Sequence, residues 1–222
     1  MTYNNIEKAV FIDRPNRFTA RVHVGGKVET VHVKNTGRCK ELLVPGAAVW
    51  LTASDNPLRK TRFDLVAVRK ANGRLFNIDS QATNKVAAEW LSPQCFDRIV
   101  PEYPYGDSRI DFYMERKNER FLMEVKGCTL EENGVGYFPD APTLRGVKHL
   151  RELIKAKEEG FHAVLAFVIQ MNGVTLVRTN TKIHPEFAEA FEAAKRAGVQ
   201  IIFLPCHVEP ERIWVLPEAM KI

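Results

Sequence analysis

The spacing of apolar and polar positions changes character once along the chain. Residues 19–24 alternate, Gly25-Gly26 follows, and residues 28–33 alternate again, a spacing that predicts a β-hairpin. A two-residue turn there would set Val24 opposite Lys27, so a longer loop or a bulge that pairs Val24 with Val28 is expected. Further strands are predicted at residues 47–52, 62–69 and 75–79, separated by the turn signals Asp55-Asn56-Pro57 and Ala71-Asn72-Gly73. About five short strands in this space suit a small closed barrel such as the OB-fold, although the count fits an SH3-like barrel equally well.

From Thr83 the period becomes helical. Val86, Ala87, Trp90 and Leu91 share one side of a helix over residues 84–91 that Ser92-Pro93 ends. Strands are then predicted at residues 109–114 and 120–126, a helix at 146–159, and a buried strand at 163–170. A second long helix begins near Pro185 and ends at Gly198, followed by a strand over 199–204. This alternation implies an α/β layered domain, and the boundary falls near residue 81, giving 1–80 and 81–222. The overall class is α/β (α+β), a barrel followed by an α/β domain.

Charge sharpens that division. Of the 222 residues, 32 are Lys or Arg and 27 are Asp or Glu, a net charge of +5. Residues 1–80 hold 14 of those cations and 7 of the acids, a surplus of +7, whereas the remainder holds 18 against 20. A basic first third is what a polyanion-binding domain would show, and equally what a solvated face would show. The longest apolar runs, such as 163–169, fall far short of the ~20 residues a membrane helix needs. With no secretory pattern at the N-terminus, a cytoplasmic protein with no membrane partner is expected. The four cysteines form no C-x-x-C pair and are read as free thiols.

The strongest chemical feature is Ser108-Arg109-Ile110-Asp111-Phe112 followed by Phe121-Leu122-Met123-Glu124-Val125-Lys126. A turn centred between Lys117 and Asn118 would set Asp111 opposite Glu124, with Cβ atoms ~5 Å apart and Lys126 on the same face. Two such carboxylates repel unless a cation bridges them, and hard oxygen ligands suit Mg2+ or Mn2+. Lys126 would then orient or help deprotonate an attacking water. The same spacing also describes an ordinary exposed hairpin. Farther on, Tyr137-Phe138-Pro139-Asp140-Ala141-Pro142 leads into Thr143, a candidate cap for the helix that bears Arg145, Lys148 and His149. Its free N–H groups and cations could receive a phosphate backbone, or simply be solvated. Trp50, Phe63 and Phe76 could stack on bases or fill the barrel core.

Taken in order, the runs Arg14-Pro-Asn-Arg-Phe18, His32-Val-Lys-Asn-Thr-Gly-Arg38, Ser108-Arg-Ile-Asp-Phe112, Glu124-Val-Lys126, Phe138-Pro-Asp-Ala141 with Thr143-Leu-Arg-Gly146, and Lys148-His-Leu150 resemble the sugar fermentation stimulation protein family, SfsA. The resemblance implies an N-terminal OB-fold, a C-terminal domain similar to PD-(D/E)xK nucleases (restriction-endonuclease-like), and DNA binding. It assigns Asp111 to the nuclease Asp and Glu124 with Lys126 to the E-x-K pair, and it makes Glu102 an additional acidic metal ligand. Gln170 is read either as matching a polar residue that lines such sites or as a strand-end residue facing solvent. Lys34 and His184 stand where the family pattern has other residues. The expected function is DNA binding with Mg2+-dependent phosphodiester hydrolysis, the alternative a non-catalytic DNA-binding regulator on the same scaffold. Barrel residues Arg14, Arg17, Arg21, Lys34, Arg38 and Lys40, with Arg145 and Lys148, are the expected nucleic-acid contacts. Pairing of two copies to cut two strands is left open.

Overall fold

The protein is described by a computed structural model covering residues 1–35, 37–54, 56, 58–220 and 222. Thr36, and Asp55 and Pro57 of the turn expected at 55–57, lie outside the described residues. The first part contains β1 (Ile6–Asn16), β2 (Thr19–Val24), β3 (Lys27–Val33), β4 (Ala48–Ala53), β5 (Phe63–Arg69) and β6 (Leu75–Asn77). They run in the order β3-β2-β1-β4-β5-β6, and a parallel β3–β5 pairing closes the first five into a barrel.

The β2–β3 register differs from expectation. Val24 pairs with Lys27 across a strict two-residue turn, and there is no bulge. Gly25 and Gly26 both hold positive φ, 55° and 76°, the mirror-image turn whose twist matches the strands it joins. Val28 pairs with His23 and is 56% exposed, because the hairpin tip extends past the core that Val31 and Val33 enter. Strand β1 is not foreseen by alternation. Register shifts between Phe11 and Asp13 and between Asp13 and Asn16 break the period after Ala9 and Phe11 have faced inward. Trp50, Phe63 and Phe76 are all buried, which removes them as base-stacking surfaces.

The second part adds α1 (Ala82–Leu91), β7 (Arg98–Tyr105), β8 (Ser108–Arg116), β9 (Glu119–Cys128), β10 (Leu130–Glu132), β11 (Val135–Phe138), α2 (Leu144–Glu158), β12 (His162–Ile169), β13 (Val177–Thr179), α3 (Pro185–Arg196), β14 (Gln200–Glu209) and β15 (Arg212–Val215). Six strands form a mixed sheet, β15-β14-β12-β9-β8-β7, and β10-β11-β13 form a small second one. Strand β12 lies between β9 and β14, parallel to both. Its sequence is continuously apolar because both faces are covered: Ala163, Leu165, Phe167 and Ile169 join one core cluster, and Val164, Ala166 and Val168 the other. Each such burial contributes about 1.5–3 kcal/mol for the larger side chains. Helices α2 and α3 pack on the first of these faces and α1 on the second.

The two parts meet through a buried polar seam. Gln170 Nε2 donates to Asn77 Oδ1 at 2.9 Å and to the Asp79 carbonyl at 3.1 Å, while Thr83 Oγ1 donates to Gln170 Oε1 at 3.1 Å. Gln170 is thus buried and does not face solvent. Beside it, Lys70 and Arg74 from the β5–β6 turn bind the buried carboxylate of Glu131 on β10 at 2.6 and 3.0 Å.

Candidate active site and nucleic-acid face

Strands β8 and β9 join through a tight turn that pairs Arg116 with Glu119, and the ladder runs to Phe112–Met123. That register sets Asp111 level with Glu124, but the ladder stops one step short of them. There the Val125 N–H donates to Asp111 Oδ2 at 2.7 Å, and Asn84 Nδ2 on α1 donates to Oδ1 at 2.7 Å. Burial, and then the charge of Glu124, push the Asp111 carboxyl above the ordinary carboxylate range, against the opposing pull of Val125 N–H, Lys126 and Asn84.

Glu124 is almost wholly buried. Its Oε1 accepts from Lys126 Nζ and lies against His149 Nδ1. Arg145 Nε donates to the other ring nitrogen of His149 at 3.2 Å, so the ring proton sits on Nδ1 and points at Glu124. Burial would raise the Glu124 carboxyl, but His149 and Lys126 outweigh it and hold it below its usual value. Oε2 of the same carboxylate is buried with no hydrogen-bond partner. An orphaned hard oxygen beside a second carboxylate fits a divalent cation held by Asp111 and Glu124.

Beyond Lys126 the chain passes through Gly127. A Cβ there would lie 2.4 Å from Gln170 Oε1 and 2.8 Å from Thr83 Oγ1, so the backbone needs glycine to approach the seam. A cavity of about 180 Å³ opens here, lined by Lys126, Asn84, Thr129, Tyr137 and Asp140 from the second part and by Asn35 and Ser80 from the first. Burial raises the Asp140 carboxyl, an effect partly offset by backbone N–H groups and Arg14.

The other expected site residues distribute unevenly. Glu102 is exposed, at φ 51° on β7, where the β7–β8 register, Pro101 with Phe112 and Tyr103 with Ile110, sets it level with Asp111, and it lines a groove with Arg145, Lys148, Asp107 and the His149 that touches Glu124. Among the described residues no three His, Cys, Asp or Glu side chains gather as a metal site. Arg14 is not available to phosphate. Its guanidinium donates to the carbonyls of Gly37, Arg38, Arg17 and Asn35 at 2.6–2.8 Å, tying two loops together. Lys34 binds Asp64 at 2.7 Å and Arg21 pairs with Asp13. Arg17, Arg38 and Lys40 are exposed, make no ion pair with a described residue, and line one groove with Ala141 and Pro142. Arg145 and Lys148 flank the start of α2, whose cap is the Thr143 side chain accepting from Gly146 N–H at 3.0 Å. Lys148 donates to the Asp107 carbonyl at 3.1 Å.

Two site residues escape sequence reasoning. His149 was legible only as part of a basic helix start, although its helical spacing with Val147, Leu150 and Leu153 places it on the buried stripe. Asn84, in the first turn of α1, carries no signal that would link it to Asp111.

Comparison with known proteins adds the lineage. Residues 12–78 match the SfsA N-terminal OB domain, and residues 81–212 match the sugar fermentation stimulation protein RE domain. The chain is 51% identical over 217 residues to a sugar fermentation stimulation protein homolog of Clostridium beijerinckii, covering 96% of each chain. It is 49% identical over 216 residues to a homolog of Desulfitobacterium hafniense, covering 96% of this chain and 94% of that one. The solved structure of Pyrococcus furiosus SfsA in complex with Ca2+ superposes with a TM-score of 0.86 at 29% identity, covering 97% of this chain and 95% of the other. With both domains matched in order and relatives near half identical along almost the full length, this chain belongs to the sugar fermentation stimulation protein family.

Proposed function

We propose that the protein binds nucleic acid, DNA by preference, and hydrolyses a phosphodiester at Asp111, Glu124 and Lys126 with Mg2+ or Mn2+. The observation that carries this reading is the half-used Glu124 carboxylate: one oxygen held by Lys126 and His149, the other buried without a partner and turned to no protein donor. A stable fold does not leave such an atom without cause. The Ca2+ complex of the Pyrococcus relative supports a divalent cation in this family. When bound, the cation would lower the pKa of a water and offset charge on the phosphate.

The chain's own residues do the rest. Asn84 and the Val125 N–H fix the direction of the Asp111 carboxylate, and His149 fixes that of Glu124. Lys126, anchored on Glu124 at the mouth of the cavity, orients a water or meets developing negative charge. Arg17, Arg38 and Lys40 supply affinity through phosphate contacts, which weakens as salt rises.

The test is salt-titrated binding to labelled oligonucleotides, followed by addition of Mg2+ or Mn2+. Asp111→Ala and Lys126→Ala should abolish cleavage and leave binding within about threefold, an energy below ~1 kcal/mol. Wild-type protein that cuts neither single- nor double-stranded DNA or RNA overturns the catalytic half. A second reading, a DNA-binding regulator that keeps the scaffold, is favoured by the protein contacts that already hold the two carboxylates: Lys126 and His149 on Glu124, and Asn84 with the Val125 N–H on Asp111. It predicts salt-sensitive binding with no cleavage under either metal.

A further inference from the structure

The turn between β1 and β2 carries an unexplained aromatic. Phe18 is 54% exposed, while the other phenylalanines discussed above are packed inside. Its exposure is not looseness. Asn16 Oδ1 accepts from the Phe18 and Thr19 N–H groups at 2.9 and 3.0 Å, and the Phe18 carbonyl accepts from Val33 N–H at 2.8 Å. The backbone under the ring is therefore fixed at three points.

The same turn is stapled to the basic loop. Arg14 bonds the Arg17 carbonyl with one terminal nitrogen and the Gly37 and Arg38 carbonyls with the other. This fixes Arg17 and Phe18 relative to Arg38 and Lys40, and the groove these cations line continues to Ala141 and Pro142, directly after Asp140 of the cavity beside Lys126. An exposed ring on a rigid turn, next in the chain to Arg17 of that groove, whose cations have no carboxylate partner among the described residues, matches an alternation of flat bases and phosphates. A duplex hides the faces of its bases unless a step is unstacked at a cost of a few kcal/mol, so such a ring favours a strand whose bases are unpaired.

We propose that Phe18, with Arg17, Arg38 and Lys40, forms a docking platform for single-stranded nucleic acid in which one base stacks on the Phe18 ring. The platform rests on the nucleic-acid-binding reading above and adds to it a strand preference. Arg14 is its positioning residue, holding the two loops in one arrangement.

The experiment measures affinity for a fluorescent 12-nucleotide single strand and for its duplex by anisotropy, in EDTA, using full-length wild type, Phe18→Ala, Phe18→Leu, Phe18→Trp and the double variant Arg38→Ala/Lys40→Ala. Phe18→Ala and Phe18→Leu should weaken single-strand binding about 5- to 150-fold, the range of one lost base–aromatic stack, and leave duplex binding unchanged. Phe18→Trp should stay within about threefold of wild type on both, because its ring also stacks. The double variant should weaken both ligands and reduce the single-strand salt slope by about 1.4. Thermal melting checks that each variant folds, as expected for exposed positions. If Phe18→Ala binds the single strand like wild type while the double variant does not, the platform is wrong and nucleic-acid binding stands. Equal losses on strand and duplex, or Phe18→Leu binding like wild type, also overturn stacking. If neither set changes binding, the platform and its cations are both wrong; if wild type binds neither ligand, the broader reading fails as well.

Discussion

Asp64 and Glu124 are both buried carboxylates on strands, one in the barrel and one in the α/β domain, and their surroundings differ in kind. Both Asp64 oxygens are taken: Oδ1 by Arg59 at 2.5 Å and His32 at 3.2 Å, Oδ2 by Arg59 at 3.0 Å and Lys34 at 2.7 Å. Glu124 has partners on one oxygen only. A carboxylate enclosed by cations serves the fold, since removing it strands charges that were already desolvated. One that is half satisfied can take a further ligand, and its neighbour Asp111, held by Asn84 and the Val125 N–H, sets a second carboxylate beside it. Cations thus differ in the two places: in the barrel wall they neutralise, whereas at the groove edge Arg17, Arg38 and Lys40 have no such acid among the described residues.

This contrast can be broken by substitution. Asp64→Ala should cost about 3–5 kcal/mol in urea unfolding, because Lys34 and Arg59 lose their counter-charge. A loss near that of Glu124→Gln would erase the distinction. Acid titration comes next. Burial would raise Asp64, but Arg59 and Lys34 outweigh it and lower its carboxyl from 3.8 to about 2. Its stabilisation is complete above the unfolded value and disappears as pH falls through about 2, an amount of ~2 kcal/mol. The gap in urea midpoint between wild type and Asp64→Asn should therefore close between about pH 4 and pH 2; a gap that persists at pH 2 would show that the charge is not its source. Thr143→Ala should cost about 1 kcal/mol by removing the cap of the helix that brings His149 to Glu124, measured by thermal melting. Smallest of all, Glu124→Gln should alter stability by about 1 kcal/mol or less, since the amide oxygen still accepts and repulsion with Asp111 is relieved, yet it should abolish Mn2+ binding measured by calorimetry.

The legible parts of the molecule are those where a local rule agrees with the final packing. The β8–β9 hairpin could be read because alternation and a polar turn both fixed its register, and so Asp111, Glu124 and Lys126 fell together. Strand β7 could not, since Pro101 and Pro104 lie within it, which only an exposed edge tolerates. At the Gly-Gly turn strand alternation points to a bulge, whereas the backbone freedom of two glycines permits the strict two-residue turn. Cations were the least legible. Arg14, Lys34 and Arg17 look alike in sequence, and only tertiary structure shows that the first binds four carbonyls, the second an aspartate, and the third nothing among the described residues. His149 and Asn84 act through contacts made by chain segments far apart in sequence, which no local period records.

The seam through Gln170 has a consequence for how the chain melts. One apolar cluster includes Val22, Val33 and Leu65 of the barrel together with Leu150, Phe167 and Phe187 of the other domain, and the Asn77 N–H is capped by the Gln170 carbonyl at 2.9 Å. Neither half owns a finished interior. A chain severed near residue 80 would expose Phe76 and Ile78 on one fragment and Met171 on the other. Calorimetry should record a single cooperative endotherm instead of two, so the barrel and the carboxylate site are lost, and regained, together.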